Sequence, residues 1–562
     1  MTQTKKWLRF GLHYLEMVVA MLAGMLLLGM LWDAVLPANL WTEADVLLMA
    51  ADMTIGMALW MLVRRHPWPA IAEMSVAMVA PFVLLLVPYW LGALSGHMVM
   101  TIGHVLMFVA MLAVMLWRRE QYLHHEHRLG TRWLGRTGVV LIALMLPAAV
   151  SGVNTAGKFA GLYAARADAV TVAPAGNQAR HDPAKPTVAL VVSGSGANAG
   201  DLLGPYEVLA GTGRVNTYVV SPGARLVPLT GGLDLVPDLT FDELDRLLKE
   251  RGDTLDAVVV PALNHPAELD RIAAWLRGQA AAGALAVSVC AGARTLAAAG
   301  LLDGRPATSH WWRLPELRAD YATVGWVSGR RYVDDGEVIT TAGVLSGIDG
   351  GLRVLERLVG MDAAGEAARR VHWRHYTPGA SGPIPVSSWE PADVAVVALN
   401  SSYQVGPSDI GVRLVAGTGE LELAAAFASY TEQTMIGRTV AVGEGPIRSR
   451  HGLTFVPRAR NAGGLDRLLV PGTAAPRREA GAVYLHTGAE FAFDPVLRDI
   501  ARTYDVPTAR WAAKTLEYPV LDVDLRGSGW PWPATTVALA LLLVGAALAI
   551  GGGWVLRRRR NR

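Results

Sequence analysis

The chain has 562 residues, of which 52% are hydrophobic and 18% charged, and its 51 lysines and arginines against 48 aspartates and glutamates give a net charge of +3. That balance is too apolar for an ordinary soluble enzyme and too nearly neutral for a nucleic-acid surface, so nucleic acid is excluded as a partner. One cysteine, Cys290, rules out an internal disulfide, and any part outside the cytoplasm must rest on its apolar core.

In chain order, apolar stretches at about 14–36, 44–63, 71–94, 98–117 and 138–153 predict a five-span transmembrane region over 1–153, and the run at 535–555 predicts a C-terminal span within 533–556. The first stretch reads as a retained span: it is long, another follows at once, and no small-residue cleavage site ends it. Lys5, Lys6, Arg9, Arg64, Arg65, Arg118, Arg119, Arg128, Arg132, Arg136 and the final RRRRNR fall on one side of the spans, while the links at 37–43 and 95–97 carry no lysine or arginine. This predicts a multi-pass cell-membrane protein in contact with lipid, with both termini cytoplasmic and residues 154–533 outside. Seventeen of the 19 methionines precede residue 150, and Met49, Met53, Met57 and Met61 fall every fourth position. His13, Glu16, Asp52, Glu73 and His104 share those spans. Thioether and imidazole suit a soft metal, and methionine is equally a flexible packing residue; both readings stay open.

After a linker at 154–185, strands and helices alternate. TVALVVSG, NTYVVSP and LDAVVVPA read as buried strands. GPYEVLAGTG, LTFDELDRLLKE and ELDRIAAWLRGQAAAG read as helices. That alternation implies right-handed crossovers and a parallel sheet flanked by helices, with chemistry at the carboxyl ends of the strands. Cys290 stands at such an end, between the apolar run 286–289 and the helical stretch 291–302. A helix N-terminus aimed at the sulfur favours a thiolate; the alternative is a buried cysteine acting as a small hydrophobe.

Three stretches in order, DLLGPYEVLAG (201–211), SVCAGARTLAAAGLLDGRPATSHW (288–311) and ITTAGVLSGIDGGLRVLERLVG (339–360), resemble the ThiJ/PfpI superfamily of class I glutamine amidotransferase-like domains. The similarity lies towards its isonitrile-hydratase and AraC-type sensory branch, and no helix-turn-helix module follows. The resemblance implies a flavodoxin-like α/β domain over 186–374 with Cys290 as nucleophile at a strained elbow. It further implies Asp201 as the acid beside the sulfur and His310 near the pocket; helix capping and a structural hydrogen bond are the respective alternatives. No cofactor and no metal are expected at this site. Ala291 stands where many relatives carry histidine or threonine, which argues against a peptidase. After Pro261, Ala262 and Leu263 stand where the family usually has two glycines that let amides approach an oxyanion.

Beyond a linker at 375–391, VAVVALNSSYQVGPSDIGVRLVAG (394–417) aligns without gaps on 188–211, and HGLTFVP followed by GGLDRLLVPG echoes GGLDLVP and LDAVVVPA. This predicts a degenerate half-domain at 392–525, with Pro407 opposite Asp201 and no cysteine, serving as an intramolecular pseudo-dimer partner. The expected ligand is a small molecule. The expected function is hydration or hydrolysis of a small electrophile, with a ligand or redox sensor and a transport role as alternatives.

Overall fold

Residues 42–63, 66–90, 96–117, 150–166, 181–264, 268–472, 479–485, 490–519 and 523–560, with scattered positions in 14–25 and at 146–147, are described by the structure, a computed structural model. It divides into two units, Met1–Val153 with Val537–Arg562, and Asn154–Thr536.

In the first unit, helices α1 (Thr42–Val63), α2 (Trp68–Trp90) and α3 (Gly96–Trp117) match three expected spans. Two stretches among the described residues, Trp68–Leu86 and Met98–Met115, are long and apolar enough to cross a membrane. The expected spans at 14–36 and 138–153 lie largely outside the described residues. Met53, Met57 and Met61 are fully buried with Met74, Met78, Met107, Met111 and Met115 in one apolar cluster. The methionine face of α1 is thus a packing seam, filled by unbranched side chains that adapt to irregular gaps.

The second unit begins with β1 (Thr187–Val191), a β-branched run buried at every position. Helix α4 (Ala199–Ala210) follows, then β2 (Asn216–Ser221), the hairpin β3 (Val227–Leu229) and β4 (Leu233–Val236), and β5 (Leu239–Thr240). Helix α5 (Phe241–Arg251) starts at a capping box of Thr240 and Glu243 and stops at Gly252, whose φ of 67° favours glycine. Next come β6 (Ala257–Val260), α6 (Leu269–Ala281), β7 (Leu285–Ser288), α7 (Gly292–Ala298), the short pair β8 (Pro306–Ala307) and β9 (Gly325–Trp326) with α8 (Leu314–Asp320) between them, and β10 (Tyr332–Asp334) with β11 (Val338–Thr341). Helices α9 (Ser346–Leu358) and α10 (Met361–Arg370) close this half. The sheet order is β10-β11-β7-β6-β1-β2-β5, parallel except for the β10–β11 pair. This is the expected flavodoxin-like arrangement of a mostly parallel sheet.

The gapless alignment of 394–417 on 188–211 does not survive in three dimensions. Residues matching β1 form helix α11 (Pro391–Tyr403), and residues matching α4 include strand β12 (Asp409–Arg413). Alternating valines and alanines are compatible with either state, and Pro391 at the first helical turn with a capping Glu390–Asp393 pair decides for helix. After β12 come α12 (Glu420–Tyr430), β13 (Arg438–Val442), β14 (Ile447–Arg448), β15 (Thr454–Val456), β16 (Arg467–Val470), β17 (Ala482–Tyr484), α13 (Phe493–Thr503) and α14 (Val506–Thr515). Their parallel sheet, β13-β12-β16-β17, repeats the order β2-β1-β6-β7. Glu422, at the third position of α12, therefore takes the place of Asp201 at the third position of α4, and Pro407 does not.

The two halves share one core: β15 pairs antiparallel with β4 through Leu235 and Phe455, and α12 packs on α4, which is buried on all sides. Parts of the two stretches expected as linkers are ordered by helix or packing among the described residues. Residues 154–162 are helical, and Trp389 packs with Trp311, Trp312 and Trp511, its ring 4.7 Å from Trp312 and 4.8 Å from Trp511. Tryptophan burial on this scale outweighs the turn propensity of the surrounding proline, glycine and serine. A final helix, α15 (Trp532–Arg560), carries the C-terminal apolar run.

Candidate active site

Strand β7 is buried throughout, and α7 begins only two residues beyond the cysteine, so the chain must turn sharply at Cys290. It does so in a left-handed conformation, φ 55°, that costs a non-glycine residue on the order of 1 kcal/mol or more. The turn is held by its surroundings. Ser309 Oγ donates to the Cys290 carbonyl at 2.7 Å, and Gly292 lies so close to Val260 that a Cβ there would stand 2.0 Å from its carbonyl oxygen. The elbow inferred from the motif is present.

Asp201 enters from the first turn of α4, whose N-cap Asn198 accepts the Asp201 amide at 3.0 Å. Its Oδ2 accepts from the Ala262 amide at 3.0 Å, and its Oδ1 is buried without a hydrogen-bond partner. The amide at the position where relatives carry glycine is therefore committed to the acid and is not free for an oxyanion. Burial raises Asp201 well above the usual carboxylate range and the negative Glu432 raises it further, while the Ala262 amide and the Cys290 thiol pull it back only in part. Burial likewise pushes Cys290 well above an ordinary thiol, with Asp201 adding to it and the Ala291 amide opposing it. The expected acidic thiol is not found, because 8% exposure leaves the sulfur without the water that a thiolate needs. The two groups are instead a coupled pair in which the charged form of either disfavours that of the other.

His310 lies in the adjoining loop, with its nitrogens directed elsewhere. Nε2 meets the Thr515 carbonyl at 2.8 Å, and Nδ1 accepts from the Trp312 amide at 3.3 Å. Burial lowers it to about 4, so the ring is neutral and held by the backbone of the second half.

Two acids that no motif marked come in from the second half. Glu432, after α12, accepts at Oε2 from Asn198 Nδ2 at 2.7 Å, Thr230 Oγ1 at 3.1 Å and the Tyr163 hydroxyl at 3.1 Å. Glu517, after α14, accepts the Trp311 amide at 3.4 Å and bonds the Gly343 amide, and burial raises it to about 7. Both add negative potential at Cys290. Neither carries a sequence signal of its own, since Glu432 stands among Thr431, Gln433 and Thr434 and the family motifs end before both.

A chain search agrees with this geometry. Residues 187–357 match the DJ-1/PfpI family. Isonitrile hydratase of Pseudomonas putida is 38% identical over 170 residues, covering 29% of this chain and 68% of that protein. The chain belongs to the DJ-1/PfpI family. Protein dj-1beta of Drosophila melanogaster is 27% identical over 185 residues, 32% of this chain and 94% of the relative. A solved ThiJ/PfpI family protein from Pseudomonas syringae shares 28% identity over 34% of this chain and 77% of its own, with a TM-score of 0.30. The family model ends at residue 357, so Glu432 and Glu517 lie beyond the part of the chain it matches.

Away from the thiol, Glu207, Glu420 and His451 bring ligand atoms within 4.8 Å of one another at the α4–α12 junction. Their oxygens are taken up by the Leu421 amide, Arg450, Ser449 and His451, which makes the cluster a polar tie between the halves. Two surface cavities, about 700 Å³ beside Met361 and about 530 Å³ beside Arg498, do not include Cys290.

Proposed function

We propose that this protein is a DJ-1/PfpI-type enzyme in which Cys290 attacks a small electrophilic carbon and Asp201 carries the proton. One observation supports this above the rest: the only cysteine is held at φ 55° between a buried strand and a helix, beside a buried acid with an unpartnered oxygen. Isonitrile hydration, the activity in the relative's name, shows the balance. Sulfur adds to the terminal carbon and the thiol proton, passed through Asp201, ends on that carbon as a thioimidate. Water then adds there, the C–S bond breaks, the sulfur regains its proton, and a substituted formamide leaves. Neither oxidant nor reductant enters. A buried pair of high proton affinity suits this shuttling, since charge appears on only one partner at a time.

The apolar helices anchor the enzyme in a membrane with both termini cytoplasmic and 154–533 outside; two stretches of spanning length and the arginine pattern support this. The second half is a degenerate duplicate standing where a second subunit would. Its repeated strand order supports this, as does the pairing of GGLDLVP with its echo HGLTFVP about Leu235 and Phe455. A small-molecule sensor is the second reading, favoured by the 8% exposure of Cys290. A redox sensor fits less well, because a buried thiol pushed upward resists oxidation.

The test is product formation from a panel of isonitriles and reactive aldehydes by the detergent-solubilised full chain. Cys290→Ser should abolish turnover and Asp201→Asn should lower kcat by about a hundredfold or more. Turnover that survives Cys290→Ser sinks the enzyme reading, and saturable binding without product supports the sensor.

A further inference from the structure

Residues 154–166 form a strap laid over the second unit, crossing from the second half to the first. Asn154 Nδ2 donates to the Ser402 carbonyl at 2.7 Å. Lys158 Nζ sits in a nest of three carbonyls, Asn400 at 2.6 Å, Met435 at 2.9 Å and Ile436 at 3.3 Å. Met435 adopts a left-handed φ of 56° within this nest, at a local cost in backbone energy. Further on, Tyr163 covers Gly196 so closely that a Cβ there would lie 2.8 Å from its ring, and its hydroxyl reaches Glu432 Oε2 at 3.1 Å. Arg166 then donates to the Pro457 carbonyl at 2.9 Å.

We propose that this strap is the gate of the Cys290 site, with Tyr163 as its stopper and Lys158 as its latch, so that substrate meets the thiol only when the strap lifts. The inference rests on the reading of Cys290 as the reacting group. Three observations converge on it. With the strap in place Cys290 is buried, only 8% exposed, too little to admit an electrophile. The tyrosine hydroxyl is bonded to the same Glu432 oxygen as Asn198, the cap of the helix that carries Asp201, so the stopper belongs to the polar network of the site. Finally, the strap is held chiefly by polar contacts and not by a core: Leu162 is its one fully buried apolar side chain. Segments with so little apolar burial open locally at a fraction of the global unfolding free energy.

Because Cys290 is the only thiol, the rate of N-ethylmaleimide labelling of the full chain reports how often the gate is open. Tyr163→Ala should speed labelling by about tenfold or more, and Lys158→Met, which keeps a long apolar stem, should do so with Tyr163 still present. Both should keep the wild-type cooperative unfolding transition in tryptophan emission, and Cys290→Ala should remain unlabelled. Unchanged labelling in both variants overturns the gate, even in a chain that turns substrate over. Faster labelling in folded variants that show no turnover keeps the gate and removes the enzyme reading.

Discussion

Glu432, from the second half, is bonded at 2.7 Å to the side-chain amide of Asn198, whose oxygen caps the helix that presents Asp201. Asp201 is thus oriented across the junction of the halves. Asn198→Ala removes the cap, worth about 1 kcal/mol, and leaves the buried Glu432 one donor short, a further 1–2 kcal/mol or so. Urea unfolding should show a loss of about 2–3 kcal/mol; a loss below about 0.5 kcal/mol would mean the network is slack.

The pH dependence of alkylation separates the coupled pair. Burial and the Asp201 charge both push Cys290 upward, so its reactivity should still be climbing at a pH where a free cysteine has levelled off. Asp201→Asn removes the second cause and leaves the first, which should move the profile to lower pH without making it ordinary. A profile unmoved by Asp201→Asn would show that the two groups do not sense one another.

Stability should fall between mildly acidic and neutral pH. Glu517 is raised to about 7 from an ordinary 4.5, so the folded state binds its proton more tightly than the unfolded chain. Its contribution is full below about pH 4.5 and is lost as pH rises through about 7. Glu207, also raised to about 7, acts in the same direction. Unfolding midpoints of the wild type should therefore decline across that window, and Glu517→Gln should flatten the decline. An equal decline in the variant would assign it to other groups.

Asp349, in the first turn of α9, faces Arg331 at 3.4 Å and accepts from Trp373 Nε1 at 3.0 Å, with both charged side chains buried. Asp349→Ala should cost about 3–5 kcal/mol by stranding the guanidinium, and replacing both partners by apolar residues should cost much less. Denaturant titration of the single and double variants decides; additive losses would mean the two charges do not depend on each other.

Truncation after Pro391 removes β15 from the edge of β4 and α12 from the face of α4, uncovering a strand edge and a buried helix. The shortened chain should self-associate or fail to unfold cooperatively. A monomer with a sharp transition would show that the first half stands alone.

What the sequence determined by itself is local. The β-branched runs of β1, β6 and β7, the capping box at Thr240 and the helix after Cys290 are all patterns within a dozen residues, where periodicity and turn chemistry operate. The elbow cysteine and Asp201 were legible because each sits at the end of such an element. The second half's register was less plain: residues 394–403 alternate in a way that suits strand or helix, and packing of α11 against α14 joins the Pro391 and Glu390–Asp393 start signal in choosing helix. Nor could chain order reveal that Glu432 and Glu517, from the second half, bring their negative charge to bear on Cys290, or that Tyr163 bonds the first of them. Burial raised the thiol where the helix N-terminus had been expected to lower it, because desolvation depends on everything that packs around a group, and that is decided only when the chain has closed on itself.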